Sequence, residues 1–214
     1  MYDMSKKTEF FESIKNANNL TYLELRELAS MKVSSLSNYL KDELPSVTTL
    51  NLNGEGAANP VSILEDLKGI EKFTGLKKLM VNYTTKILDI SAIKNCTTLE
   101  DVTLTYAGIN SLNGMEALTN LKTLTINNNN IASLKPLENL KNLTSLNLKN
   151  NAIADTSSYV DTDGSTKTYR NLDILAGLHT SRGGKLSNLY LAGNGNIIDY
   201  SPVSSLTWND KSGF

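Results

Sequence analysis

Apolar residues recur through the middle of this chain in one phrase, whose cleanest copy runs Leu121-x-x-Leu124-x-Ile126-x-x-Asn129-x-Ile131-x-x-Leu134-x-x-Leu137-x-x-Leu140. Leu99, Leu121 and Leu143 each open it, 22 residues apart. A fixed period in the twenties marks a solenoid, in which each unit has too little apolar surface to fold alone and must stack on its neighbours. Aligned on their first apolar residue, the units start at Val47, Leu76, Leu99, Leu121, Leu143 and Leu186. The inward pairs are then Leu50/Leu52, Leu79/Val81, Val102/Leu104, Leu124/Ile126, Leu146/Leu148 and Leu189/Leu191. Alternation over such short segments predicts strands, and stacking them predicts a parallel sheet. After the strand, apolar residues come every third position, as in Ile109-x-x-Leu112-x-x-Met115-x-x-Leu118. That spacing suits a 3₁₀ or extended return segment better than a long α-helix.

The interruptions of the period carry information of their own. The Leu76 and Leu186 units each run one residue long before their return segments (Ile87, Ile90, Ile93; Ile197, Tyr200, Val203). The Val47 unit spans 29 residues, with Gly54-Glu-Gly-Ala-Ala-Asn-Pro60 as its surplus. The Leu143 unit spans 43, and its return segment resumes at Leu172, Leu175 and Leu178. Inside that excess, Tyr159-Val-Asp and Thr166-Lys-Thr-Tyr169 flank Asp163-Gly164, a pair suited to a tight turn, which predicts a β-hairpin inserted at about 156–171. Rim insertions of this kind are either functional or tolerated growth.

Residues 1–46 break the phrase. Val33, Leu36, Leu40 and Leu44 fall at helical spacing before Pro45, and a helix is expected around Phe10, Phe11 and Ile14. Leu20-x-x-Leu23-x-Leu25 imitates a strand, but Leu28 stands where asparagine would help, so a helix is expected there too. These elements form a helical cap over the first repeat's apolar end, with the repeats filling 47–206. The remaining 207–214 read as a tail or the start of another domain. Leu206, Trp208 and Phe214 are candidates to cover the far end.

Asn129, Asn151 and Asn194 stand where the chain turns away from the strand. A side-chain amide there can satisfy backbone groups of adjacent turns, so these residues read as a structural ladder. Earlier units carry Glu55, Thr84 and Ala107 at that place, which leaves the ladder incomplete.

Together with Ala132-Ser-Leu-Lys-Pro-Leu137 and Leu140-Lys-Asn-Leu143-Thr-Ser-Leu146-Asn-Leu148, the phrase resembles bacterial leucine-rich repeats of the internalin type. The resemblance implies an α/β fold: a right-handed solenoid with a concave parallel β-sheet, a 3₁₀ or extended convex side and a helical N-terminal cap. It also implies a binding role, often on a bacterial surface. The start, Met1 to Thr8, lacks a signal peptide's apolar core.

Composition narrows the chemistry. The net charge of −1 provides no basic field for nucleic acid, and arginine is scarce (Arg26, Arg170, Arg182). No apolar run reaches the roughly 20 residues that span a bilayer. A lone cysteine, Cys96, sits on an apolar repeat position and reads as a buried thiol. One histidine, His179, without a nucleophile motif beside it offers no triad, and one Cys with one His offers no zinc site. Asp161-x-Asp163-Gly164 lacks the glutamate of a calcium loop. No enzyme, metal or cofactor is expected.

The outward strand positions supply the candidate site: Lys78, Met80, Asp101 and Tyr190 on the sheet, with Tyr83 and Tyr106 flanking it one repeat apart. Tyr159 and Tyr169 add aromatic groups at the inserted rim. Tyrosine buries much area while losing few rotamers, which makes it a good anchor for a partner. The reading is a protein-interaction module acting through its concave face and rim. An intracellular scaffold or regulatory subunit and a glycan-binding surface module stand as alternatives.

Overall fold

The computed structural model describes residues 5–14, 17–25, 34–53, 64–84, 87 and 89–210, with side chains from residue 9 onward. The Gly54–Pro60 surplus, Val33, Leu28, Glu55, Arg26 and Phe214 lie outside those residues. Each three-residue strand places one apolar side chain inward and two side chains outward. The strands are β1 (Tyr22–Glu24), β2 (Thr49–Asn51), β3 (Lys78–Met80), β4 (Asp101–Thr103), β5 (Thr123–Thr125) and β6 (Ser145–Asn147), then β7 (Thr156–Val160), β8 (Thr166–Arg170) and β9 (Asn188–Tyr190). Seven of them form one parallel sheet in the order β1-β2-β3-β4-β5-β6-β9, while β7 and β8 pair as a separate antiparallel hairpin. Leu50, Leu79, Val102, Leu124, Leu146 and Leu189 sit in register down the sheet and are fully buried.

The return segments close each turn with short 3₁₀ helices, among them Ile70–Lys72, Ser91–Asn95, Met115–Ala117 and Lys135–Leu137. Their three-residue spacing aims Ile109, Leu112, Met115 and Leu118 into the core, where all four are buried. This is a leucine-rich-repeat solenoid: a stack whose core is one continuous apolar column between sheet and return segments. Helix α1 (Ser5–Ile14) buries Phe11 and Ile14, and the Phe11 ring stacks on Tyr39 at 5.2 Å.

Three expectations are corrected. Leu20–Leu25 is not helical: β1 pairs in register with β2, and Leu25 N–H donates to the Asn51 carbonyl. An available sheet edge outweighed the missing asparagine, because it satisfies the backbone while burying Leu23 and Leu25. The helical spacing of Leu36, Leu40 and Leu44 yields only a 3₁₀ turn at Leu36–Asn38. There, Leu44 N–H donates to the Lys72 carbonyl of the next turn rather than along a helix. Conversely, Leu172, Leu175 and Leu178 lie on an α-helix, α2 (Asn171–Leu178). Ile174 and Ala176 are buried as well, so this segment buries more positions than a three-residue period can.

The far end is closed by Trp208, whose indole N–H donates to the Val203 carbonyl at the end of α3 (Ser201–Ser204). His179 meets that indole edge-on at 4.5 Å. It also donates Nε2–H to the Thr207 carbonyl at 2.8 Å, while Nδ1 accepts from Ser181 N–H at 3.1 Å. Both ring nitrogens are therefore used in holding this end of the stack together. No helix among the described residues is long and apolar enough to cross a membrane.

Candidate functional site

The residue two places beyond each strand's last inward side chain adopts a left-handed backbone. Tyr83, Tyr106, Asn128 and Asn150 have φ of 57°, 51°, 58° and 53°, and Gly193 has 80°. Each of the first four makes the same bond, its N–H donating to the carbonyl of Thr105, Asn127, Lys149 or Ala192 in the next repeat. These five residues therefore form one column along the rim of the sheet. The left-handed region is tolerated by glycine and asparagine and costs other residues roughly 1–2 kcal/mol. Gly193 is required for a second reason: a Cβ there would meet Asn150 Oδ1 at 2.0 Å.

Tyrosine is thus the exception in this column, and it appears twice in succession. The two rings stack with centroids 5.1 Å apart and planes 14° from parallel, close to the spacing of adjacent strands. Further along, Asn150 Nδ2 donates to Asn128 Oδ1 at 2.8 Å, so an amide pair continues the aromatic pair. Tyr106 is 41% exposed.

The next position along the chain is the asparagine ladder. Asn129 Oδ1 accepts from the N–H groups of Ala107 and Ile109, and its Nδ2 donates to the carbonyls of Leu104 and Ile126. Asn151 accepts from Ile131 N–H and donates to Ile126 and Leu148; Asn194 accepts from Ile153 N–H and donates to Leu148 and Leu191. In the tyrosine repeats the same position holds Thr84 and Ala107. Thr84 is fully buried and its hydroxyl has no hydrogen-bond partner. Both repeats that place tyrosine in a disfavoured backbone conformation therefore also lack the stabilising amide.

Around the tyrosines the polar groups are bonded to one another. Lys78 and Asp101 face each other across β3 and β4 at 2.7 Å. Asn82 Nδ2 donates to Asn53 Oδ1 at 2.7 Å, and Thr105 donates its hydroxyl to Asn82 Oδ1 at 2.5 Å. Met80 lies half-buried on the same strand as Lys78. Lys78, Met80, Asp101, Tyr83 and Tyr106 are thus gathered on two adjacent repeats.

The other candidate residues lie elsewhere. Tyr190 is on β9, four strands from β3. Its hydroxyl donates to the Asp210 carboxylate at 2.9 Å, which raises the phenol's pKa, and Lys149 sits 5.2 Å over its ring. Tyr159 and Tyr169 lie against the return segment: Lys135 Nζ is 4.8 Å and 5.9 Å from their rings, and the Tyr169 hydroxyl meets Ser133 Oγ at 2.5 Å. They fasten the hairpin to the solenoid rather than joining the Tyr83–Tyr106 cluster.

Asn171 was not legible in the sequence because the insertion displaces it from the 22-residue register. It is fully buried at the foot of the hairpin, accepts from Leu134 N–H and donates to the Ala132 and Ala154 carbonyls and Ser157 Oγ. The column Tyr83–Tyr106–Asn128–Asn150, by contrast, was available in the alignment that revealed the ladder, one position earlier.

A polar groove of about 370 Å³ runs along the opposite rim, lined by Lys77, Thr98, Glu100, Asn120, Lys122 and Asn142. Its groups are largely paired, Lys122 with Glu100 at 2.5 Å and the Asn120 and Asn142 amides with the carbonyls of Thr97 and Thr119. Lys122 also holds the Glu100 carboxyl below its ordinary pKa. Among the described residues no cluster of His, Cys, Asp and Glu could hold a metal ion.

Repeat pattern, sheet and return segments define the fold, a leucine-rich-repeat solenoid, and comparison with known proteins agrees. Residues 119–160 match the family model for leucine-rich repeats in two copies. The fold resembles internalin C2 of Listeria monocytogenes (22% identity, 82% of this chain and 77% of that one, TM-score 0.50). It also resembles a leucine-rich-repeat protein of Leptospira interrogans (22% identity, 85% of this chain and 39% of that one, TM-score 0.60). TLR13, from the structure of its complex with ssRNA13, aligns over all of this chain and 31% of its own (18% identity, TM-score 0.58). No curated protein sequence matches the chain. The leucine-rich-repeat fold read from the repeats is thus found again in these structures, internalin C2 among them.

Proposed function

We propose that the protein is a binding module that takes a protein partner on its concave face, centred on Tyr83 and Tyr106 and bordered by Met80 and the Lys78–Asp101 pair. The observation that carries this is the double concession at those two repeats: tyrosine in a backbone conformation suited to Asn or Gly, beside a missing ladder amide. Strand propensity does not account for tyrosine at positive φ, and strain kept in successive repeats is characteristic of functional positions. The stacked sheet holds the aromatic pair in place, which lowers the ordering cost of binding.

A protein partner fits better than a glycan. The rings turn their faces on each other, so the shared faces are closed to a stacking sugar. What the pair offers is ring edges and hydroxyls, with the half-buried Met80 three residues before Tyr83 in the same repeat, the mix of apolar body and polar tip that favours protein interfaces.

Selection of binders from a random-peptide display library tests the reading, because peptides converge on surfaces prepared for binding. Binders should protect the amides of 78–83 and 101–106 from hydrogen exchange. They should lose at least about tenfold in affinity for the double variant Tyr83→Asn/Tyr106→Asn. Binders that map elsewhere, or that bind the double variant equally well, would overturn it.

A further inference from the structure

The inserted hairpin has an edge that the rest of the molecule leaves open. Asn171 N–H donates to the Asp155 carbonyl and Asp161 N–H to the Ser165 carbonyl. These two bonds fix the alternation of the ladder, so Thr156, Ser158 and Val160 point their backbone N–H and C=O groups away from β8. The side chains of all three are exposed, and none of their backbone groups finds a partner among the described residues. Edge strands are normally blunted by lysine, proline, a bulge or a covering segment. β7 has no charged residue and no proline. The hairpin's cations belong to β8, where Lys167 pairs with Asp161 and Arg170 with Asp199.

Two exposed aliphatic residues mark the ends of this edge. Val160 is 69% exposed at the tip side and Ile198 is 87% exposed in the loop beside the root. That loop is held against the start of β7: Ala154 bridges to Asn196, and Asp155 Oδ1 accepts from Ile198 N–H at 3.0 Å.

We propose that β7 is a homodimerisation edge, pairing antiparallel with β7 of a second copy about a twofold axis at Ser158. Antiparallel pairing about a twofold is self-complementary. The register sets Ser158 opposite its own counterpart and brings Val160 of each copy to Thr156 of the other, beside the loop that holds Ile198. Val160 thereby covers part of its exposed side chain against Thr156 of the other copy. Within Thr156–Val160 no charges oppose each other, and at the flanking position, where Asp161 of one copy comes opposite Asp155 of the other, Lys167 already pairs with Asp161. The result is a four-stranded sheet, β8-β7-β7-β8, at the rim, away from the Tyr83–Tyr106 cluster.

Sedimentation velocity over a concentration series tests association, and a cysteine pair tests register. The apparent mass should move from 23.4 kDa toward twice that value as concentration rises. Val160→Lys should weaken association by at least about tenfold, because it installs the charge that edge strands normally use to resist pairing. Residues directly opposite in a hydrogen-bonded antiparallel pair have Cα atoms about 5.5 Å apart, within disulfide range. Ser158→Cys should therefore form a disulfide-linked dimer under mild oxidant, while Thr168→Cys, equally exposed but on β8, should not. Cys96 is buried and does not compete. A protein that stays monomeric at all concentrations, an unchanged Val160→Lys variant, or equal cross-linking at Ser158 and Thr168 would each overturn the proposal.

Discussion

Tyr83 and Tyr106 lie one repeat apart with their rings stacked at 5.1 Å, both on backbone with positive φ. The stack returns some of what the backbone costs: an aromatic pair contributes about 0.5–1.5 kcal/mol, of the same order as one left-handed non-glycine residue. Asparagine relieves the strain and forfeits the stack. The double variant Tyr83→Asn/Tyr106→Asn should accordingly unfold in urea within about 1 kcal/mol of the parent. Tyr83→Val, β-branched in the same conformation, should lose more than about 1 kcal/mol. A large loss in the asparagine variant would assign the tyrosines to stability instead of binding.

The ladder gives the converse test. Asn129→Ala leaves the N–H groups of Ala107 and Ile109 and the carbonyls of Leu104 and Ile126 without their side-chain partner. Unsatisfied buried groups cost about 1–3 kcal/mol each, so a loss of at least about 2 kcal/mol is expected in equilibrium unfolding. Thr84→Asn replaces a buried hydroxyl that has no partner with the amide used in other repeats, and should raise the unfolding midpoint.

Leu124 is fully buried at the centre of the sheet, between Val102 and Leu146. Leu124→Ala should cost about 2–5 kcal/mol, the range for truncating a buried leucine. Because repeats are coupled through their neighbours, the loss should appear as one lowered transition covering β4 to β6. Amide exchange across those strands checks it.

Cys96 is buried, and burial pushes its thiol from 9.0 up to about 12. The thiol should not react with disulfide reagents at pH 8 until the protein opens, since the thiolate is the nucleophile. The folded state binds this proton more tightly than the unfolded state. Its contribution to stability is therefore complete below pH 9.0 and is lost progressively as the pH rises toward about 12. Comparing Cys96→Ala with the parent isolates it: the parent should fall more steeply over that interval.

How much of this was legible follows from what repeats. The inward leucines, the return segments and the asparagine positions recur from unit to unit, 22 residues apart in the most regular stretch, and a repeated pattern constrains every unit at once. Where the chain left the period, local pattern misled. Leu20–Leu25 became a strand because a neighbouring edge was open to it, and Leu172–Leu178 became a helix because more of its residues had a core to enter. Tyr159 and Tyr169, candidates to meet a partner, also meet Lys135 and Ser133 of their own chain. Nothing in the sequence around residue 160 points to a contact with residue 135.

The sequence by itself determined the solenoid, because burying a recurring apolar stripe in short units leaves stacking as the one way to exclude it from water. It also named Tyr83 and Tyr106. Only the tertiary structure decided what distinguishes them: positive φ, a shared stack and an absent ladder amide in the same two repeats. Backbone conformation and ring orientation depend on the turn that the neighbouring repeat imposes, and that turn exists only once the repeats are stacked.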